Sequence, residues 1–444
     1  MKRLAFSLVV LLSPTVRAQA GDPASTPPET LRLGLADALA RARAASPRLA
    51  RLSSLESAAA EGARGARAGR LPELTASAGY TRNSNVPELF LVTPGAPPQA
   101  IFPNIPDNYR LHAGLAVPLF TSGLLGHTIA AAEEQRSAAE RDKAAGLGDV
   151  VLETTAAYWA LVASREGVKV LTEAVASYDA HLKDAVARQE VGLAARNEVL
   201  AVQVERDRAE LARLQAANIA EVDQANLRRL LDLPPATLVE CTEPLAQTPA
   251  APEEVEALVA GAIASRPEIG ALQSRAASLD ATATAERATV LPQVNLSAGY
   301  DYANPNTRIL PPTAQWKGTW NVGLNLAVTA FDGGRASAAA AQAQAEADAV
   351  RHDLEDLQAR IRLDVTSRLL DLSTARASIN VAERNREAAQ ENVRVAQARY
   401  KEGVIPSSEL LDAETALLRA GLDRTSALTG LRIAAARLDR AAGR

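Results

Sequence analysis

The sequence predicts a mainly α-helical chain with a small β part, internally duplicated, in which long paired helices build a rod and four strands cap it. Three observations predict this. Proline is absent between Leu119 and Leu233, and beyond Phe331 only Pro406 interrupts the chain, so two very long stretches are free to run as helix. Aromatic residues are only 3% of the 444 residues, which suits thin, closely approached helix interfaces better than a wide globular core. The phrase "LPELTASAGY" at Leu71 returns as "LPQVNLSAGY" at Leu291, the mark of an internal repeat.

From the amino terminus, residues 1–20 read as a signal peptide. Lys2 and Arg3 precede an apolar run from Leu4 to Leu12, and Ala18-Gln19-Ala20 supplies small residues for cleavage after Ala20. No Cys stands at that point, so lipid attachment is not expected. The first repeat occupies 21–233, with a helix at 31–70, strands at 72–82 and 109–120, and a helical hairpin at 121–233. A linker at 234–252 is marked by Pro234, Pro235, Pro244, Pro249 and Pro252. The second repeat, 253–444, has a helix at 253–290, strands at 291–302 and 316–331, and a hairpin at 332–444. Aligned, Ser46 to Leu52 falls over Arg266 to Leu272, Phe120 over Phe331, and Gly192 over Gly403. Residues 121–188 as one helix would extend roughly 100 Å. In the matching second helix Leu354, Leu357, Ile361, Val365, Leu369 and Leu372 recur every three or four residues, an apolar packing stripe.

The four strands alternate. Leu74, Ala76, Ala78 and Tyr80 oppose Thr75, Ser77 and Gly79, and Trp320, Val322, Leu324 and Leu326 oppose Asn321, Gly323 and Asn325. Ten or so alternating residues with tyrosine or tryptophan near the ends fit a membrane β-strand with an interfacial aromatic belt. The competing reading is a four-stranded sheet packed on helices. Pro- and Asn-rich segments at 83–108 and 303–315 favour the barrel, as exposed loops at one end. Four strands cannot close a barrel, and an open edge in lipid leaves backbone groups unpaired. The chain is therefore expected to borrow strands from its own copies; two copies give a filled barrel and three give one with a lumen.

Composition narrows the function. The formal net charge is −4, and −7 once Lys2, Arg3 and Arg17 leave with the leader, so no nucleic-acid partner is indicated. Cys241 is the single cysteine, taken as an inert part of the linker, and His112, His127, His181 and His352 have no metal-ligand spacing. No nucleophile elbow, zinc-protease, phosphate-loop or dinucleotide motif occurs. An enzyme is not expected, nor is a cofactor or metal. Beyond the leader no apolar run is long enough for a transmembrane helix.

"AVPLFTSG" (116–123) and "VTAFDGGRAS" (328–337) lead into the long helices, and "VGLA" (191–194) and "ARYKEGV" (398–404) stand at the turns. With the leader and the duplication, these features resemble TolC-like outer membrane efflux proteins over essentially the whole mature chain. The resemblance implies a homotrimer with a long α-helical barrel and a 12-stranded β-barrel, four strands per chain, seated in outer-membrane lipid of a Gram-negative cell and reaching into the periplasm. It implies a passive exit duct working with a periplasmic adaptor and an inner-membrane pump of RND or ABC type. Small-molecule efflux is preferred over a type I protein secretion outlet, and a soluble periplasmic coiled-coil scaffold is the remaining alternative.

The resemblance also implies site residues. Val191, Gly192, Leu193, Ala194, Gly403 and Val404 correspond to the adaptor-contacting tip. Glu409 and Asp412 correspond to an acidic constriction ring, with Tyr400 and Glu198 beside it. On helix-end statistics alone Ser407 or Ser408 would cap the last helix. The family's basic partner two residues beyond the second turn glycine is replaced here by Ile405. The resting constriction is accordingly expected to rest on Glu402 and Glu198 pairing with Arg196 or Lys401.

Overall fold

The computed structural model describes residues 30–95, 97–245 and 254–444. The expected leader at 1–20, and the 246–252 part of the expected linker, lie outside the described residues. In chain order the elements are β1 (Thr30–Leu33), α1 (Leu35–Ala45), α2 (Pro47–Ala68), β2 (Glu73–Arg82), β3 (Leu89–Leu91), β4 (Gln99–Phe102), β5 (Asp107–Phe120), α3 (Leu124–Glu190) and α4 (Arg196–Leu230). They continue with β6 (Leu238–Cys241), α5 (Val255–Ser265), α6 (Pro267–Ala288), β7 (Gln293–Asn304), β8 (Lys317–Ala327), α7 (Arg335–Lys401) and α8 (Ser407–Ala441). The halves correspond helix by helix: α1 and α5 have 11 residues each, α2 and α6 have 22, α3 and α7 have 67, and α4 and α8 have 35. A 67-residue helix spans about 100 Å.

Several expected bounds are corrected. The helices expected at 31–70 and 253–290 each break in two, ahead of Pro47 and Pro267. The preceding residues, Ser46 (ψ 115°) and Arg266 (ψ 122°), are extended, because proline disfavours helical backbone in the residue before it. Ser46 also turns the break into a cap, its hydroxyl accepting from the Leu49 N–H at 3.3 Å. Residues 30–33 are strand rather than helix, and the linker holds their parallel partner, with Thr30 opposite Leu238 and Leu33 opposite Cys241. The 83–108 loop contains the β3–β4 hairpin. The strand expected at 316–331 stops at Ala327. The residues after it turn instead, with the Asp332 carboxylate accepting from Gly334 N–H (2.8 Å) and Ala336 N–H (2.7 Å) to start α7.

Each long helix is flanked by two shorter ones set end to end. Lys143–Glu56 and Arg67–Glu133 ion pairs hold α2 along the first part of α3. Arg206–Asp179 and Arg229–Glu153 hold α4 along the rest. In the second half α6 and α8 flank α7 in the same way, and α3 joins the halves through α6 and α8. Alanine lines these seams: Ala271, Ala283 and Ala288 of α6 and Ala336, Ala340, Ala343 and Ala347 of α7 are all buried. Two glycines let arginines cross close to the backbone. A Cβ at Gly148 would sit 3.0 Å from Arg440 Nε, and one at Gly270 would sit 2.8 Å from Arg141.

The larger side chains collect at the waist. Leu258, Ile269, Ile361, Val365, Leu372, Leu431 and Leu438 form one cluster; Leu33, Tyr158, Trp159, Leu161, Leu227, Leu231 and Val239 form another. Tyr158 Oη donates to the Leu33 carbonyl at 3.1 Å, and burial pushes its phenol up to about 12. Cys241 is therefore not loose linker: it lies on β6, and burial pushes its thiol up to about 11, which leaves little reactive thiolate.

At one end of the rod stands a four-stranded antiparallel sheet in the order β2-β5-β7-β8. The two repeats meet at its centre, Gly114 opposite Gly299. One face exposes Leu74, Val322, Leu324, Leu326 and Trp320, the last 73% exposed. Near the loop end of that face Tyr80, Tyr109, Trp316 and Tyr302 follow one another with ring centroids 5.0, 6.0 and 5.0 Å apart, a belt of the kind found where strands leave hydrocarbon for water. The opposite face is polar: Asp301 takes Arg110 at 2.6 Å and His112 at 2.9 Å, and Asn325 donates to Ser297 at 3.0 Å. β2 and β8 are open edges. Among the described residues no helix is long and apolar enough to cross a membrane.

Candidate functional site

The α3–α4 and α7–α8 turns lie a helix length away from the sheet and are built alike. Gly192 (φ 77°) and Gly403 (φ 73°) take the left-handed conformation that ends a helix. Gly192 N–H donates to the Gln189 carbonyl at 3.0 Å and Leu193 N–H to the Arg188 carbonyl at 2.8 Å. In the second turn Gly403 donates to Tyr400 at 3.0 Å and Val404 to Arg399 at 2.9 Å. Both helices thus close with the same double bond pattern. The turns hold apolar side chains out in solvent: Val191 is 69% exposed, Leu193 76% and Val404 60%, with Ala194 half-buried beside them.

Behind the turns the surface becomes acidic and the interior becomes closed. Glu409 and Asp412 share the exposed face of α8. Arg399 approaches Glu409 at 3.6 Å, an exposed contact that leaves the carboxylate largely in water. The opposite face of α8 buries Leu410 and Ala413 with Ile405, Val393, Ala396 and Tyr400. Tyr400 carries the Arg188 guanidinium 4.4 Å above its ring, and Arg188 also donates to the Lys401 carbonyl at 2.9 Å. Burial pushes the Tyr400 phenol up, while Arg188 opposes that shift.

Two expectations are corrected here. Glu402 and Glu198 do not pair with Arg196 or Lys401. Glu402, Lys401 and Arg196 all point outward, because the glycine turn directs them away from the seam, and Lys401 contributes only its backbone carbonyl. Glu198, half-buried in the first turn of α4, acts electrostatically on Tyr400. Ser407 is not the cap of α8: Pro406 occupies that position without a side-chain bond. The Ser407 hydroxyl lies instead 2.9 Å from His181 Nε2.

That contact belongs to a set of residues that spacing arguments missed: His181, Ser177, Glu414 and Arg188. A readable signal existed. Glu414 falls in the apolar row Leu410, Ala413, Leu417, and His181 stands three residues from Tyr178 and four from Ala185 on the buried face of α3. A charge in such a row needs a partner. No group of three or more metal-ligating side chains occurs among the described residues.

A family model described as outer membrane efflux protein matches residues 38–232 and 258–444, which are the two repeats. Protein CyaE of Bordetella pertussis is 28% identical over 310 residues, 69% of this chain; the match spans 64% of that protein's length. Among solved structures, a membrane protein from Pseudomonas aeruginosa superposes with a TM-score of 0.77 at 21% identity, covering 92% of this chain and 93% of that one. The outer membrane protein VceC of Vibrio cholerae gives 0.77 at 20% identity, covering 92% and 96%. The MtrE outer membrane channel of Neisseria gonorrhoeae, in its open state, gives 0.76 at 18% identity, covering 92% and 88%. At these identities the superpositions speak to the fold.

Proposed function

Because the chain belongs to the outer membrane efflux protein family and resides in the outer membrane with its helices reaching into the periplasm, we propose that three copies form a passive exit duct. The carrying observation is the four-stranded sheet with an exposed apolar face and two unpaired edges, β2 and β8. In hydrocarbon an open edge is too costly to persist, so β8 of one copy pairs with β2 of the next. Three copies give twelve strands, enough for a lumen, whereas eight strands fill with side chains. The helices support the same closure. Leu200, Val204, Leu211 and Ile219 on α4, and Leu363, Leu370 and Val381 on α7, leave apolar surface exposed at both lateral edges of the protomer. The polar strand face then lines the pore. Heat-modifiable trimers in the outer-membrane fraction are the expected finding; a monodisperse soluble monomer would overturn the reading.

The duct draws no energy of its own, so a periplasmic adaptor and an inner-membrane pump supply cargo at the far end. The exposed Val191, Leu193 and Val404 with Gly192, Ala194 and Gly403 form the docking tip. Val191→Asp combined with Leu193→Asp should weaken capture of the adaptor by about thirtyfold or more, the scale of a lost interface anchor of about 2 kcal/mol. Trimer stability should not change, because neither side chain packs on the fold. Equal capture by wild type and variant removes the tip assignment.

Glu409 and Asp412 from three copies place six carboxylates around the periplasmic opening, with Tyr400 and Glu198 behind them. Such a ring favours cations. Glu409→Ala with Asp412→Ala should bring the cation-to-anion permeability ratio in planar bilayers close to one; an unchanged ratio sinks the ring. Small-molecule efflux is the preferred cargo. Restored resistance to toxic compounds on complementation supports it, and appearance of a secreted protein in the medium without such resistance favours a protein outlet.

A further inference from the structure

Just behind the turns, α3 and α8 share a set of largely buried polar groups. The His181 side chain has no exposed surface and that of Glu414 has 4%. His181 Nδ1 lies 2.9 Å from Glu414 Oε2, and Nε2 lies 2.9 Å from Ser407 Oγ. Ser177 Oγ donates to the other Glu414 oxygen at 2.8 Å, and Tyr178 Oη is 3.0 Å from Thr415 Oγ1. The imidazole meets the Tyr400 ring edge to face, with centroids 5.2 Å apart. Ser, His and Glu stand in the order of a hydrolase triad, but Ser407 is 2% exposed and no substrate carbonyl could reach it. The arrangement joins; it does not react.

What it joins is informative. His181 and Ser177 belong to the first helical hairpin, whereas Ser407 and Glu414 belong to the second. Within one chain the hairpins meet toward the tip chiefly along α3 and α8, and these bonds cross that seam near its open end. The next stretch of the seam is incompletely filled. A cavity of about 290 Å³, lined by Ser177, Tyr178, Glu414, Leu417 and Arg424, lies between α3, α7 and α8. Ile405, packed beneath the second turn, offers no charge of its own there.

We propose that the His181–Glu414–Ser407 link is the latch that holds the second hairpin against the first in the resting duct, with these residues acting as positioning residues for closure. The proposal rests on the exit-duct reading, since only a tip that opens needs a latch. Widening the opening separates the hairpins, which breaks hydrogen bonds to a buried carboxyl group. Loss of one such bond shifts an open–shut equilibrium by about tenfold to a hundredfold. Other charged groups surround the flanking tyrosines: Asp184 and Arg188 on α3, Glu198 and Glu205 on α4, and Arg419 on α8. None of them bonds the imidazole, whose nitrogens face Glu414 and Ser407.

The test uses the full-length trimer in planar bilayers. Glu414→Gln keeps the shape and removes the charge; Ser407→Ala removes one hydroxyl; His181→Gln keeps a donor without the imidazole. Each should raise resting conductance about tenfold, with heat-resistant trimers retained. If His181→Gln does not assemble, the two milder variants decide. Wild-type leak in assembled variants, or lowered thermal stability without leak, overturns the latch. A wild-type chain that forms no conducting oligomer overturns the duct instead, which is a distinguishable result.

Discussion

Val322→Arg should prevent the chain from assembling in the outer membrane, whereas Asn325→Arg, three residues further along the same strand, should leave assembly intact. Val322 stands at the middle of β8 on the apolar face, 62% exposed. Asn325 points to the other face and donates to Ser297. A strand alternates faces residue by residue, so position 322 meets lipid in the barrel and position 325 meets the lumen. Arginine at the middle of a barrel's lipid face costs about 2–4 kcal/mol. The trimer carries it three times, and roughly 6–12 kcal/mol is comparable with the whole stability of an ordinary domain. A lumen arginine loses one exposed hydrogen bond, worth about 1 kcal/mol. Fractionation followed by unheated and heated gels reads both outcomes. Should Val322→Arg assemble like the wild type, the apolar face does not meet lipid.

The contrast between positions 322 and 325 is legible in the sequence, because a period of two needs only the order of residues. The same holds for the helix stripe. Leu354, Leu357 and Leu369 pack against the waist cluster that buries Ile361, Val365 and Leu372, as steps of three and four require. Duplication was legible because one half serves as a control for the other, down to the paired turn glycines. What escaped was pairing at long range. β1 and β6 have four residues each, too few to show a period, and they meet across the whole first repeat. The latch residues escaped for a related reason. His181 and Glu414 each sat visibly in an apolar row, but nothing in either row says that one faces the other. The charge pairs expected at the tip were chosen by nearness in sequence. The structure prefers Arg188 on Tyr400, since a guanidinium can lie on a ring and reach a carbonyl at once.

Arg440→Leu should loosen the waist and change how the protein responds to acid. Arg440 leaves α8 to meet Asp149 of α3 at 2.7 Å and Glu268 of α6 at 2.6 Å, with its side chain 14% exposed. It therefore ties both repeats together, and Gly148 leaves room for it to pass. Removing one partner of a buried ionic group costs about 3–5 kcal/mol. Asp149 and Glu268 are 36% and 25% exposed and keep Arg48 and Arg266 as further partners, so screening lowers the figure to about 2–3 kcal/mol. The pH dependence follows from Glu268. Burial alone would raise its carboxyl, but Arg440, its own backbone N–H and Arg266 outweigh burial and hold it below the usual 4.5. A carboxyl lowered by folding adds stability that is present above its unfolded value and is lost as pH falls through the folded one. The gap between wild type and Arg440→Leu should therefore be full at pH 7 and narrow below about pH 4.5. Loss of helical circular dichroism on heating, measured across that range, is the readout. An Arg440→Leu protein as stable as wild type at pH 7, or a gap that stays constant into acid, would show that the waist is held by its leucines alone.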